Sequence, residues 1–144
     1  MRAINAIYVH HSASSQKKTT PEMIDQWHKD RGWNGIGYHF VVTFDGTIHR
    51  GRDVAVVGAH CKGKNRRSIG ICVTGNFNND SVGTHQESSL SLLLAGLMAT
   101  YSLEKEAVFG HREHGQTECP GNNLFEWLTN WRGDVQEDEE QNNI

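Results

Sequence analysis

The sequence predicts a single α/β domain in which a central mixed β-sheet is flanked by about three helices. Apolar runs of strand length alternate along the chain with helical patterns, and this alternation favours an α/β fold. Two of the apolar runs are joined by Asp45-Gly46, a typical hairpin turn that adds antiparallel pairing to the sheet. With 144 residues, 36% of them hydrophobic, the chain is long enough to bury one core.

The predicted strands are segments in which apolar and β-branched residues run together. The first covers residues 3–11 and ends in two adjacent histidines, His10 and His11. Its nearly continuous apolar character predicts a strand that is buried on both faces. The other predicted strands cover residues 36–43, 47–50, 54–57, 68–74 and 107–109.

The first predicted helix follows Thr19, which is expected to cap it, and has Pro21 in its first turn. Gly32 ends the helix, and His28 is expected on its surface. Helical spacing places three apolar side chains together on the inward face, namely Met23, Ile24 and Trp27.

The second predicted helix has the clearest pattern and runs from Thr84 to about Leu103. Thr84 and Glu87 have the spacing of a capping box. An inward stripe at helical spacing is formed by Leu90, Leu93, Leu94, Leu97, Met98 and Tyr101. Asn123 is expected to cap a third helix. Its inward side chains are Leu124, Trp127, Leu128 and Trp131.

The formal net charge of −3 conceals an uneven distribution of charge. Residues 134–144 carry five acids and no base, which predicts a disordered acidic tail after a domain of residues 1–133. The rest of the chain has fourteen bases against twelve acids. Because phosphate binding needs clustered Lys and Arg, this nearly neutral body argues against nucleic acid as a partner.

No stretch approaches the eighteen or so apolar residues that a membrane span requires, so membrane insertion is not expected. The apolar run at the N-terminus is too short and too soon interrupted for a secretory signal. We therefore expect synthesis and folding in the cytoplasm. Three cysteines, an odd number, argue against a disulfide framework there. Cys61 and Cys72 are expected to be small packing residues.

Residues 110–120 bring together two histidines and Cys119, and zinc accepts both imidazole and thiolate ligands. His10 and His11 end another strand, and sites in α/β sheets gather beyond strand ends. Adjacent strand residues point to opposite faces, so only one of these two histidines can join the site. Two histidines and one cysteine leave a tetrahedral zinc with one open position, as in catalytic sites. A nucleophilic Cys119 with a histidine base is the main alternative.

Short motifs follow one another along the chain up to about Trp131. They are Tyr8-Val9-His10-His11-Ser12-Ala13, Trp27-His28, Gly32-Trp33, Gly37-Tyr38-His39-Phe40, Asp45-Gly46-Thr47, Gly51-Arg52, Gly58-Ala59-His60, Ser68-Ile69-Gly70-Ile71, and His111 with Cys119-Pro120. In this order they resemble the zinc-dependent N-acetylmuramoyl-L-alanine amidases, the family of short phage lysozymes and peptidoglycan recognition proteins. One such motif is a weak signal, whereas this many in register is a strong one. The resemblance implies a peptidoglycan recognition protein-like amidase fold.

The resemblance implies one zinc ion per chain, held by His10, His111 and Cys119. It selects His10 over His11, a choice that strand periodicity leaves open. It also leaves His114 outside the ligand set.

The family's catalytic tyrosine falls on Tyr38, which is thereby implied to hydrogen-bond the oxyanion that develops during the reaction. Thr117 falls where the best-known phage lysozymes carry a catalytic lysine, although recognition proteins with amidase activity also have threonine there. A threonine can donate a hydrogen bond to the oxyanion but brings no charge. By the same resemblance, His60, Asn65 and Trp33 are candidates for the groove that holds the substrate.

The implied reaction is hydrolysis of the amide between N-acetylmuramic acid and the L-alanine of the stem peptide, with bacterial peptidoglycan as the partner. The expected protein is a phage or prophage endolysin that reaches the wall through a membrane pore made by another protein. The alternative is a recognition module that binds peptidoglycan without catalysis. Recognition proteins that have lost activity usually lack the cysteine ligand, which is present here as Cys119.

Some phage lysozymes of this family also bind and inhibit the RNA polymerase of their phage, partly through a longer N-terminal segment. The first predicted strand of this chain begins at about residue 3. We therefore expect no polymerase partner.

Overall fold

The computed structural model describes residues 2–134 as five strands packed between helices. The strands are β1 (Ala6–His11), β2 (Phe40–Val42), β3 (Ile48–Arg50), β4 (Ser68–Val73) and β5 (Val108–Gly110). They form one mixed sheet in the order β3-β2-β4-β1-β5. The predicted α/β class with a mixed sheet is therefore confirmed. The predicted acidic tail lies outside the described residues, apart from Asp134.

Strand β1 lies between β4 and β5 and is parallel to both. The predicted hairpin forms the far edge, where β2 pairs antiparallel with β3 and parallel with β4. Because β1, β4 and β5 run in one direction, their carboxyl ends meet at the same edge of the sheet. His11 ends β1, and His111 directly follows the last residue of β5. Residues that lie a hundred positions apart in sequence are thereby brought together.

Three α-helices cover the sheet, α1 (Pro21–Asp30), α2 (Thr84–Tyr101) and α3 (Asn122–Arg132). Single turns of 3₁₀ helix cover Asn65–Arg67, Lys105–Ala107 and His111–Glu113. The three predicted helices are therefore present. None of the helices among the described residues is long and apolar enough to cross a membrane.

The two faces of the sheet bury different apolar clusters, and alternate residues of β1 belong to one or the other. Ile7 and Val9 point into the main core, which α2 and α3 complete with Leu90, Leu94, Leu124 and Leu128. Ala6 and Tyr8 point to the opposite face, where smaller apolar clusters contain Cys61, Cys72 and Ile24 of α1. The predicted packing role of both cysteines is thus confirmed, since both are buried.

Helix ends differ from the sequence prediction in their capping residues. The cap of α1 is Thr20, not Thr19, and its Oγ1 accepts a hydrogen bond from the amide of Met23 at 3.2 Å. The predicted capping box of Thr84 with Glu87 is wrong. Helix α2 instead follows Gly83, whose amide donates to Gln86 Oε1. The side-chain oxygen of Gln86 therefore accepts a hydrogen bond from a backbone N–H that has no partner within the helix.

Two further predictions fail in the segments around the second face. Residues 54–57 form turns, not a strand, and Asp53 Oδ1 accepts the amide of Ala55 at 2.8 Å. His28 is buried, not exposed, because the inward face of α1 passes through Ile24 and His28, which are four residues apart. Met23 and Trp27, which the sequence placed inward, are each 38% exposed.

Candidate metal centre

The carboxyl edge of the sheet brings together His10, His111 and Cys119, the three predicted ligands. One donor atom from each lies within 4.8 Å of the other two. His10 Nδ1 is 3.1 Å from His111 Nδ1 and 3.6 Å from Cys119 Sγ. A tetrahedral zinc ion with ordinary bond lengths separates two nitrogens by about 3.3 Å, and nitrogen from sulfur by about 3.6 Å. The donor set and its spacing therefore fit zinc.

The choice between the two adjacent histidines follows from the strand alternation. His10 points to the face of Ala6 and Tyr8, and its ring lies 5.0 Å from that of Tyr38. His11 points to the other face, where its Nδ1 accepts a hydrogen bond from the amide of Phe77 at 3.1 Å. The backbone amide of His11 nevertheless contacts the centre, since it donates to Cys119 Sγ at 3.4 Å.

A chain of hydrogen bonds behind His10 fixes which of its nitrogens is free. The Ser68 hydroxyl donates to the carbonyl of Lys64 at 2.7 Å, so its oxygen accepts from His60 Nε2 at 3.3 Å. His60 Nδ1 is then the acceptor for His10 Nε2, at 3.0 Å. His10 Nδ1 consequently carries a lone pair, which points toward His111 and Cys119. Such partners behind a ligand set its tautomer and orientation.

The His60 ring fits this position because β4 carries a glycine beneath it. A Cβ at Gly70 would lie 2.5 Å from His60 Cγ, which no real side chain tolerates. Asn65 holds the other side, since its Oδ1 accepts the amides of His60 and Cys61 at 2.9 Å each. The predicted groove residues His60 and Asn65 thus have structural contacts that sequence reasoning did not identify.

The ionisation of the three donors suits a metal more than a nucleophile. Burial lowers the pKa of His10 well below its ordinary value, and the neighbouring His60 and His111 lower it further. Burial also lowers the pKa of His111. Both rings are therefore neutral, as metal ligation requires. Burial raises the pKa of Cys119 to about 12, so the metal-free thiol is protonated and a poor nucleophile.

The three donors lie on the floor of a groove of about 630 Å³. Tyr38 lines the groove, and burial raises the pKa of its phenol well above the ordinary value, so the phenol keeps its proton. Exposed Thr117 also lines it. Its Oγ1 accepts the amide of Cys119 at 3.1 Å, which leaves its hydroxyl hydrogen free to donate.

His28 and Trp33 form the end wall of the groove beneath α1. The Trp33 ring is 36% exposed and lies 4.7 Å from that of His28. His28 Nδ1 accepts the amide of Gly37 at 2.8 Å, which ties α1 to the segment that carries Tyr38. The four-residue spacing of Ile24 and His28 is the signal that could have placed His28 in the groove.

His114 lies outside the donor set, as predicted. Its Nδ1 is 2.5 Å from the hydroxyl of Tyr8, and its ring packs 4.5 Å from that of Phe109. These contacts attach the loop between His111 and Cys119 to the surface of β1 and β5. His114 therefore supports the loop that carries two of the donors.

Replacing His60 should weaken metal binding although its side chain is not a donor of the cluster. We expect His60→Ala to lower zinc affinity about tenfold to a hundredfold, because His10 loses the partner that orients it. His60→Asn, whose side-chain oxygen can replace Nδ1 as acceptor, should lose clearly less. Competition titration of the metal-free protein with a chelating dye measures both. Equal losses in the two variants would contradict this role.

Acid should destabilise the metal-free protein partly through His28. Burial, and then the charges of Arg31 and Arg52, lower its pKa to about 4. As the pH falls from about 6.5 to 4, His28 becomes protonated in the unfolded chain but stays neutral in the folded chain, so the unfolded state is favoured. We expect this histidine to reduce the free energy of unfolding by up to about 3 kcal/mol in that range. His28→Asn should flatten the pH dependence in urea unfolding with chelator present.

The sequence profile of the N-acetylmuramoyl-L-alanine amidase family matches residues 1–122. The chain therefore belongs to that family.

Similar proteins include both endolysins and recognition proteins. The endolysin of Escherichia phage T7 is 38% identical over 129 residues, which cover 85% of this chain and 84% of the endolysin. Peptidoglycan-recognition protein SC2 of Drosophila melanogaster is 34% identical over 131 residues, 85% of this chain and 71% of that protein. The amidase endolysin LysCS of Clostridium intestinale has a similar structure, with a TM-score of 0.82 and 43% identity, and covers 92% of this chain and 85% of its own.

Proposed function

We propose that this protein is a zinc-dependent endolysin that hydrolyses the amide between N-acetylmuramic acid and the L-alanine of the stem peptide. The observation that carries the proposal is the cluster of His10, His111 and Cys119 on the floor of an open groove. Its spacing fits one zinc ion per chain. The similarity to phage endolysins supports the lytic role, in which the enzyme made in the cytoplasm reaches the wall through a membrane pore formed by another protein.

The proposed site residues act at different positions around the scissile amide. His10, His111 and Cys119 hold the metal, which supplies a Lewis acid and a water of lowered pKa when bound. Tyr38 and Thr117 each line the groove and carry a hydroxyl group. In the proposed mechanism they donate to the carbonyl oxygen as negative charge develops on it, where preorganised donors are most effective.

The groove wall orients the glycopeptide in this proposal. Trp33 offers an exposed aromatic surface, while the amide nitrogen of Asn65, which has no hydrogen-bond partner within residues 2–134, can contact the peptide; its amide oxygen is used by the loop. His60 occupies the floor next to His10 and thereby combines a wall position with its support of the metal ligand. Holding the scissile amide in the correct position lowers the entropic part of the activation barrier and so raises the rate.

A non-catalytic recognition module is the second candidate, since several similar proteins are recognition proteins. The complete donor set argues for catalysis, because a module that only binds has no need for a metal site with one open position.

Mass spectrometry of digested walls tests the proposal. Purified peptidoglycan treated with the protein should release stem peptides with a free L-alanine amino terminus, and a chelator should abolish this release. New reducing sugar ends would instead identify a glycosidase. Binding to the walls with no release of peptide would establish the recognition module.

A further inference from the structure

A second cavity of about 880 Å³ lies beside the catalytic groove, and its charge is distinctive. We name it the basic cavity; it is lined by Arg2, Lys64, Arg66, Arg67, Tyr8 and Phe109, among others. No acidic residue lines it. Within residues 2–134, none of the four basic side chains forms an ion pair. The cavity is therefore strongly cationic in a domain that is otherwise close to neutral.

The basic cavity is built on rigid parts of the fold. Arg2 donates through Nε to the carbonyl of Val54 at 3.0 Å and through Nη1 to that of Ser68 at 2.9 Å, so its charge is fixed in place. Arg66 and Arg67 follow Asn65 on a single 3₁₀ turn, and both side chains are exposed. Half-buried Phe109 gives the cavity an apolar floor and stacks on the buried ring of Tyr8, with their centroids 5.5 Å apart.

The basic cavity continues the catalytic groove along the same face of the sheet. Tyr8 and His10 alternate onto one face of β1, and the ring of Tyr8 lies 6.1 Å from that of His60 in the groove. Gly63 lines both cavities. Because the two cavities share this lining residue, a polymer held in the groove can reach the basic cavity.

We propose that the basic cavity binds the carboxylates of a second stem peptide, carried by the same peptidoglycan polymer as the stem that is cleaved. This inference rests on the proposed function, because the polymer in the groove determines what extends beyond it. Stem peptides repeat along peptidoglycan and carry free carboxylates. Arginine binds carboxylates through two parallel hydrogen bonds, and the aromatic floor suits the aliphatic parts of a peptide.

Wall binding by the charge-reduced variant Arg66→Gln/Arg67→Gln tests the proposal. The holoenzyme is sedimented briefly in the cold with purified walls, and the bound fraction gives the affinity without relying on hydrolysis. We expect affinity to fall about fivefold at low salt, with a smaller difference at high salt because salt screens exposed charges. Lys18→Gln/Arg50→Gln removes two exposed charges that line neither cavity and should bind like the wild type.

Chemically altered walls identify the anion. Amidation of the wall carboxylates with a carbodiimide should abolish the difference between the variant and the wild type. Removal of phosphate polymers with hydrofluoric acid should leave the difference intact. A difference that disappears with the phosphate polymers, or equal binding by both proteins on untreated walls, would overturn the proposal. Failure of the proposed amidase activity would appear separately, as absence of released stem peptides.

Discussion

Cys119→Ser should lose both metal and activity. The thiolate is one of the three proposed protein donors, and a serine hydroxyl is a much weaker zinc ligand at neutral pH because its proton is hard to remove. We expect zinc affinity to fall more than about a hundredfold and amidase activity to fall below about 1% of wild type. Metal analysis after dialysis and a peptide-release assay measure the two effects.

Two controls separate ligation from folding in that experiment. Cys72→Ala removes a fully buried thiol outside the donor cluster and should keep one zinc ion per chain. Urea unfolding of Cys119→Ser and the wild type with chelator present should give similar stabilities, since both proteins then lack metal. Retention of zinc and full activity by Cys119→Ser would reject the ligand assignment.

Tyr38→Phe should have the opposite signature, with metal kept and turnover lost. The phenol hydroxyl is not among the metal donors, so zinc content should stay at one per chain. Loss of one donor to a developing oxyanion typically costs a factor of about a hundred to a thousand in kcat. KM should change little, because the contact strengthens in the transition state and not in the bound substrate.

The matched variant for that prediction is Thr117→Val, which keeps the shape of the side chain and removes the hydroxyl. Its effect on kcat should be smaller than that of Tyr38→Phe, because exposed Thr117 acts in a wetter part of the groove. A Tyr38→Phe enzyme with unchanged kcat would eliminate the proposed donor role.

The residue patterns alone predict the fold class, whereas the three residues of the donor cluster were predicted only with the help of the family resemblance. Hydrophobic periodicity located the strands, and two of them ended at His10 and His111. Strand alternation places His10 and His11 on opposite faces of the sheet, but it does not say which face carries the site. It therefore could not choose between the two histidines. The structure distinguishes them through the packing of α1, α2 and α3 on the two faces.

The supporting residues were harder to predict because their contacts are long-range. Ser68 reaches His60 through a hydrogen bond at the start of β4, and nothing in its local sequence indicates a link to His10. The sequence predicts His28 on the surface of the first helix, yet the helix buries it beside Ile24. The prediction of a strand at residues 54–57 is wrong because a short apolar run does not by itself indicate burial: Val56 and Val57 are 51% and 40% exposed, and only Val54 packs against the core.

The parallel pairing of β1 with β5 links the metal to the thermodynamics of folding. His10 and His111 meet only when these two strands are paired, so an unfolded chain cannot present all three donors at once. A zinc ion held by the proposed donors would therefore bind the native state in preference to the unfolded ensemble. Free zinc at a hundred times its dissociation constant would add about 2.7 kcal/mol to the unfolding free energy by mass action. The proposed metal centre would then also link the two halves of the chain.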